Sequence, residues 1–206
     1  MRTPAAERRV YCSSADRSQR ATTDRDAHAE VDTTVDGVPL SLVSVPGVFA
    51  ATGLDHGTRL LLETARVMDG DRVLGLCCGY GAAGVWAAKT GGSAVTLTDD
   101  DRPATRCAEC SLAASGVDGE VVTADGTAGV EERRFDTVLC NPPTHAGDGV
   151  LRDLFEGARR VLSSDGTLWV VDHRDLDFRP QLSAAGFGGV DRVAVGEEHV
   201  VLAVVG

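Results

Sequence analysis

The sequence predicts an α/β fold built on a doubly wound, largely parallel sheet. From residue 72 onward, short apolar runs alternate with segments of helical periodicity. A glycine-rich turn, Gly79-Tyr80-Gly81-Ala82-Ala83-Gly84, joins the first such run to the helix behind it. The last two apolar runs are separated only by Gly196-Glu197-Glu198, a hairpin spacing that makes one terminal strand antiparallel.

Taken in order, residues 1–34 are rich in Ser, Thr, Asp and Arg without clear periodicity and are expected to form a flexible N-terminal arm. Residues 35–206 hold the folded domain. Val38 to Val45 alternates as an edge strand does, and that edge is a candidate contact between copies of the chain; Pro46-Gly47 ends it. Asp55 is placed to cap a helix running through Leu60, Leu61, Leu62, Ala65 and Met68 to Gly70. Arg72–Cys77 reads as a strand, Ala82–Lys89 as a helix, Ala94–Thr98 as a strand and Arg102–Ala114 as a helix. Strands follow at Glu120–Thr123 and Phe135–Cys140, then a helix from Val150 to Leu162 and a strand from Thr167 to Asp172. Asp175 to Ala185 is helical in pattern, and Val190–Val195 and His199–Val204 form the terminal hairpin.

The 206 residues are 43% hydrophobic and 25% charged, enough for one globular domain with a full core. No apolar run reaches the length of a membrane span, and the start lacks a signal-peptide core, so a cytoplasmic protein is expected. Formal net charge is -11, only Lys89 is a lysine, and Asp outnumbers Glu about two to one. Self-repulsion on this scale destabilises a compact state in dilute salt and is a halophile's device. At molar salt the Debye length falls to about 3 Å and the repulsion is screened. The melting temperature is therefore expected to rise from low to molar salt; a flat or falling trend in a thermal scan would contradict the halophilic reading. An acidic chain is ordinarily a poor nucleic-acid binder, since phosphate contacts supply most non-specific affinity, but that contribution is weak for any protein in molar salt. Cys107-Ala-Glu-Cys110 has metal-ligand spacing, but no second pair or His cluster accompanies it, and no metal site is expected.

Two stretches carry chemistry. The glycine turn opens a helix, where bare backbone approaches a ligand closely. Asp99 follows Gly79 by twenty residues at a strand end, where an acid accepts both hydroxyl hydrogens of a ribose, and Asp125 ends the next strand. Alone, G-x-G-x-x-G with a later acid suits a nicotinamide dehydrogenase equally well. Against that stand the long segment before the loop, the lack of a second domain, and the second stretch. There Val138-Leu139-Cys140 is apolar enough to be buried on both faces, and Asn141-Pro142-Pro143-Thr144-His145 stops it. Prolines cannot continue a ladder, so Asn141 sits at the carboxyl end of a strand, where open α/β sheets bind ligands.

These stretches, with Pro46-Gly47-Val48-Phe49 and Asp55-His56-Gly57-Thr58 ahead of them, occur in the order found in class I S-adenosylmethionine methyltransferases. The chain resembles the small-domain group that includes small-subunit ribosomal RNA guanine-N2 methyltransferases, over residues 38 to 206. The resemblance implies a Rossmann-like seven-stranded sheet in the order 3-2-1-4-5-7-6, the last strand antiparallel, with residues 35–206 as the methyltransferase domain. It implies S-adenosyl-L-methionine as cofactor, held by Cys77, Cys78, Gly79, Tyr80 and Gly81 of the loop, by Asp99 and Asp100, and by Asp125 and Gly126. Phe49 and Asp55 would close over it, and Asn141 would border it.

The implied chemistry is methyl transfer to a planar exocyclic nitrogen, most of all guanine N2 in ribosomal RNA. The Asn141 carbonyl and the Pro142 backbone carbonyl accept the amine's N–H bonds, Pro143 fixes the turn, and His145 contacts the base or takes the proton. The same corner suits a protein glutamine or an adenine amine. Two departures stand out: Gly75 and Cys77 occupy positions where the family usually has an acid and a glycine. They leave open a cofactor-binding scaffold without catalysis. Thr144 stands where the family often has an aromatic residue, so a stacking surface is missing there.

Overall fold

The computed structural model describes residues 29–50 and 52–206. Its first element is a hairpin: β1 (Ala29–Val35) pairs antiparallel with β2 (Val38–Ser44), apart from the main sheet. Asp36 and Gly37 both take positive φ, 46° and 79°, as the two-residue turn matched to strand twist requires. The arm expected over residues 1–34 lies outside the described residues as far as residue 28. From Ala29 the chain is already strand, with Val31, Thr33 and Val35 turned inward and Glu30, Asp32 and Thr34 outward. The expected edge strand at Val38–Val45 is therefore one half of this hairpin. Its backbone also bonds to helix α3 (Arg102–Ser115): the Ser111 hydroxyl accepts from Val43 N and donates to Val43 O, and Ser115 does the same at Ser41.

Helix α1 (His56–Thr64) starts as expected, with the Asp55 carboxylate accepting from Thr58 N at 2.9 Å. It stops at Thr64, short of Met68, because the Asp71 carboxylate takes the Met68 N–H at 3.0 Å and draws the backbone out of the helix. Then β3 (Arg72–Leu76), α2 (Ala82–Thr90), β4 (Ala94–Asp99), α3 and β5 (Glu120–Thr123) alternate as the pattern predicts. They are followed by β6 (Phe135–Cys140), α4 (Asp148–Val161), β7 (Leu162–His173), α5 (Arg179–Ala184), β8 (Val190–Val195) and β9 (His199–Val205). Helix α5 begins four residues later than expected: Pro180 fits only a first turn, and the Asp172 carboxylate binds Phe178 N ahead of it.

The main sheet runs β5-β4-β3-β6-β7-β9-β8. Numbered from β3, that is 3-2-1-4-5-7-6, with β9 antiparallel to both neighbours. One face is covered by α4 and α5 through Phe155, Val161, Phe178 and Leu182, which pack on Leu74, Val138, Leu168 and Leu202. The other carries α2, α3 and the hairpin over Val73, Leu97 and Leu139, and α1 over Val171 and Val201. Arg59 fastens α1 to the hairpin through Thr34 O at 2.8 Å and Thr33 Oγ1 at 2.9 Å. At the amino ends of the parallel strands Arg72 grips Asp136 with two nitrogens. That hydrogen bonding holds the Asp136 carboxyl well below the usual carboxylate range. Among the described residues no helix is long and apolar enough to cross a membrane, and no cluster of His, Cys, Asp and Glu has the makings of a metal site.

Candidate active site

Strand β3 delivers its chain to the carboxyl end of the sheet at Leu76, and the next five residues make a tight loop. Cys77 takes a left-handed φ of 55°, the conformation that favours the glycine usual there in the family. The Cys78 N–H binds Thr98 O at 3.0 Å and the Gly81 N–H returns to Cys78 O at 2.9 Å, fixing the loop to β4 and to itself. Gly79 has φ of 53°, and a side chain added there would meet nothing within 4 Å, so the backbone faces open space. Gly81 serves packing instead: a Cβ would stand 2.9 Å from Ala108 Cα on α3.

Asp99, the last residue of β4, sits under this loop. One carboxylate oxygen accepts from Gly79 N at 2.8 Å and the other from Asp101 N at 3.0 Å. Burial pushes its carboxyl up from the ordinary aspartate range, while those two amides pull the other way. Each oxygen keeps a further lone pair for a ligand hydroxyl. Burial, with Asp99 close by, pushes the Cys78 thiol well up; a hydrogen bond with the Cys77 thiol, then burial, does the same to Cys140. Neither is a thiolate nucleophile.

Asn141 follows β6 on the same face as α1. Its Nδ2 donates to Thr58 Oγ1 at 2.9 Å and to Asp55 Oδ1 at 3.4 Å. Phe49, Asp55, Cys77, Cys78, Gly79, Tyr80 and Asn141 line one narrow cleft, along with Thr58, Leu61, Leu76, Ala82, Ala83 and Leu139. Phe49 is 65% exposed there, so it is not core. Tyr80 is buried and donates its hydroxyl to Gly53 O at 3.0 Å, strapping the loop before α1 to the glycine turn; burial pushes its phenol up.

The cleft draws together Cys77 to Tyr80 of the loop, Phe49, Asp55 and Asn141; Gly81 and Asp99 are outside its lining, Asp99 being tied to the loop through Gly79 N. Asp100 is exposed on the way to α3, and Asp125 and Gly126 lie past the end of β5 outside the cleft lining. Pro142 is buried, while Pro143, Thr144 and His145 are exposed beyond the corner. Thr58 was not singled out from sequence as a site residue; its signal is its place three residues past the Asp55 cap. A larger concavity of about 590 Å³ opens at the opposite, amino end of the strands. Two of its arginines are in ion pairs, Arg72 with Asp136 and Arg133 with Glu120, and open α/β sheets bind ligands at the other end.

Against known proteins, residues 39–203 match the family model "Methyltransferase small domain". The ribosomal RNA large subunit methyltransferase G of Pseudomonas putida (strain GB-1) is 36% identical over 176 residues, which are 82% of this chain and 47% of that protein. The ribosomal RNA small subunit methyltransferase C of Escherichia coli (strain K12 / DH10B) is 37% identical over 159 residues, 75% of this chain and 45% of that protein. The chain thus spans about half the length of these curated relatives. Among solved structures, the T. thermophilus 16S rRNA N2 G1207 methyltransferase in complex with AdoMet and guanosine superposes with a TM-score of 0.81 at 27% identity, covering 91% of this chain and 53% of that one. The ribosomal protein L11 methylase from Lactobacillus delbrueckii subsp. bulgaricus follows with a TM-score of 0.64 at 25% identity, covering 77% of this chain and 81% of that one. With its sheet order, its glycine loop and four-fifths of its length matched, the chain belongs to the methyltransferase small domain family.

Proposed function

We propose that the chain is an S-adenosylmethionine-dependent N-methyltransferase whose substrate is the N2 amine of a guanine in ribosomal RNA. The observation that carries this is the meeting, in one cleft, of the glycine loop and an asparagine side chain at the end of β6. The relatives named for ribosomal RNA methylation, and the neighbour solved with AdoMet and guanosine, support the same reading.

The residues present fit the cofactor. Backbone at Gly79 is bare toward open space, and Asp99 keeps acceptor capacity after binding Gly79 and Asp101. Asp99 would hold the ribose hydroxyls, Gly79 would let the chain approach, and Phe49 would cover the site from the loop before α1. The cofactor supplies, when bound, a methyl group on a sulfonium, a leaving group good enough that no strong base is required. The protein's share is to present the amine. An exocyclic amine has its lone pair delocalised into the ring, and an acceptor on its N–H favours the pyramidal geometry that attacks. Asn141 Oδ1 is that acceptor, so catalysis here is positioning and preorganised electrostatics. The new C–N bond replaces the C–S bond, and the amine's proton leaves to solvent. His145, exposed past the corner, would contact substrate only from the rim.

The place of action is the cytoplasm, where ribosomal RNA is made and folded, and the acidic surface suits a saline one. The likeness to the ribosomal protein L11 methylase favours a second reading, a ribosomal protein as acceptor. Methyl transfer from labelled cofactor, in molar salt, to ribosomal RNA and separately to ribosomal protein decides between them. Label in RNA as N2-methylguanine supports the first reading, and label in protein alone replaces it with the second. Calorimetry showing no cofactor binding would leave neither.

A further inference from the structure

We infer that Asp55 and Thr58, at the tip of α1, are positioning residues that fix which way the Asn141 amide faces. The inference rests on the methyltransferase reading and deepens it. An asparagine amide has a donor end and an acceptor end of nearly equal shape, and only the acceptor end is useful against an amine. A carboxylate only accepts. With Asp55 Oδ1 at 3.4 Å and Thr58 Oγ1 at 2.9 Å on one side of Asn141, the NH2 end is bound to that side. The flipped amide would set its carbonyl against the Asp55 carboxylate, a repulsive contact; the Thr58 hydroxyl can serve either end of the amide, so Asp55 sets the orientation and Thr58 holds it. Oδ1 is therefore turned away from α1.

The same Asp55 oxygen accepts from Thr58 N at 2.9 Å, so the helix cap and the amide lock share one atom. Asp55, expected to close over the cofactor, lines the cleft and makes its own contacts to α1 and to Asn141. Thr58 is buried, so its hydroxyl is held by packing and does not wander. Gly57 completes the device. A Cβ there would lie 3.0 Å from His199 Cδ2 and 3.2 Å from Asp55 Oδ1, so a larger residue would push the carboxylate from its place.

Asp55→Asn separates positioning from capping. Asparagine caps a helix as well as aspartate does, yet it no longer forces the Asn141 NH2 end to face it. Thr58→Val removes the hydroxyl at nearly constant volume, and Thr58→Ser restores it. Measured in the full chain in molar salt, Asp55→Asn and Thr58→Val should each lower kcat by about ten- to a hundredfold. KM for RNA, cofactor affinity by calorimetry and the melting temperature should change little, and Thr58→Ser should recover most of kcat. NMR of the Asn141 side-chain NH2 gives a readout independent of turnover: its resonances should move in both variants and return in Thr58→Ser. An unshifted NH2 signal, or an unchanged kcat in either variant, overturns the inference. A wild type that methylates neither RNA nor ribosomal protein overturns the functional reading instead, and the NMR result then decides the amide's orientation alone.

Discussion

Replacing Asn141 with alanine is expected to lower kcat for methyl transfer by on the order of 10²–10³-fold, the usual cost of removing one preorganised polar group from a reacting centre. On the proposed mechanism the substitution removes the acceptor that would hold the amine in its attacking geometry. It touches neither the Gly79 backbone nor the Asp99 carboxylate, so calorimetry with S-adenosylmethionine should show binding largely retained. The structural cost is small. Asn141 gives up its bonds to Thr58 and Asp55, and a typical hydrogen bond contributes about 1 kcal/mol net. For a domain of this size that is about 2–4 °C in melting temperature for each bond lost. Single-turnover transfer is the decisive measurement. If the alanine variant turns over at the wild-type rate, the amide is a turn former and nothing more.

The second large effect concerns Gly75, where the family usually carries an acid. Here the space is taken: a Cβ at Gly75 would lie 2.5 Å from Leu97 Cδ2, and one at Gly84 on α2 would lie 2.5 Å from the same atom. Leu97 has no exposed surface and is clamped between β3 and α2 with nowhere to retreat. Gly75→Asp is therefore expected to destabilise the fold by on the order of 3–5 kcal/mol. Overpacking contributes about 1–3 of that, and the remainder comes from a carboxylate in an apolar layer. A thermal melt should fall by roughly 10 °C. Adding Leu97→Ala should return part of the loss, because the two side chains compete for one volume; strictly additive losses in the double-mutant cycle would show that they do not. The volume a side chain at 75 would need is thus filled by Leu97, for which Gly84 on the facing helix also makes room.

What the sequence showed and what it hid divide along physical lines. The inner parallel strands were legible because burial on both faces leaves nearly unbroken apolar runs such as Val138-Leu139-Cys140, while β5 showed only as the short pair Val121-Val122. The terminal hairpin was legible from the short Gly196-Glu197-Glu198 link, and the start of α1 from its capping aspartate. The first hairpin was missed although Asp36-Gly37 between alternating residues is a strong turn signal; the polar residues Glu30, Asp32 and Thr34 on its outer face made β1 look like arm. The ends of α1 and α5 were misplaced because the carboxylates of Asp71 and Asp172 take backbone N–H groups nearby. Within the site, Asn141, Asp99 and the glycine loop were read from local pattern. The Thr58–Asn141 bond spans 83 positions, and no local pattern reports it. The tightness around Leu97 was equally invisible, since it depends on β3, β4 and α2 meeting.

The serines of α3 have a consequence for how copies of the chain can meet. An unpaired strand edge is an open template on which a second molecule can continue a sheet. At Ser41 and Val43 the template is occupied by Ser111 and Ser115, two hydroxyls one helical turn apart that stand in for a neighbouring strand. A molecule approaching this edge must first displace four hydrogen bonds made inside its own target. Association through β2 is thereby disfavoured at source, even in the molar salt that removes the charge repulsion otherwise keeping acidic chains apart.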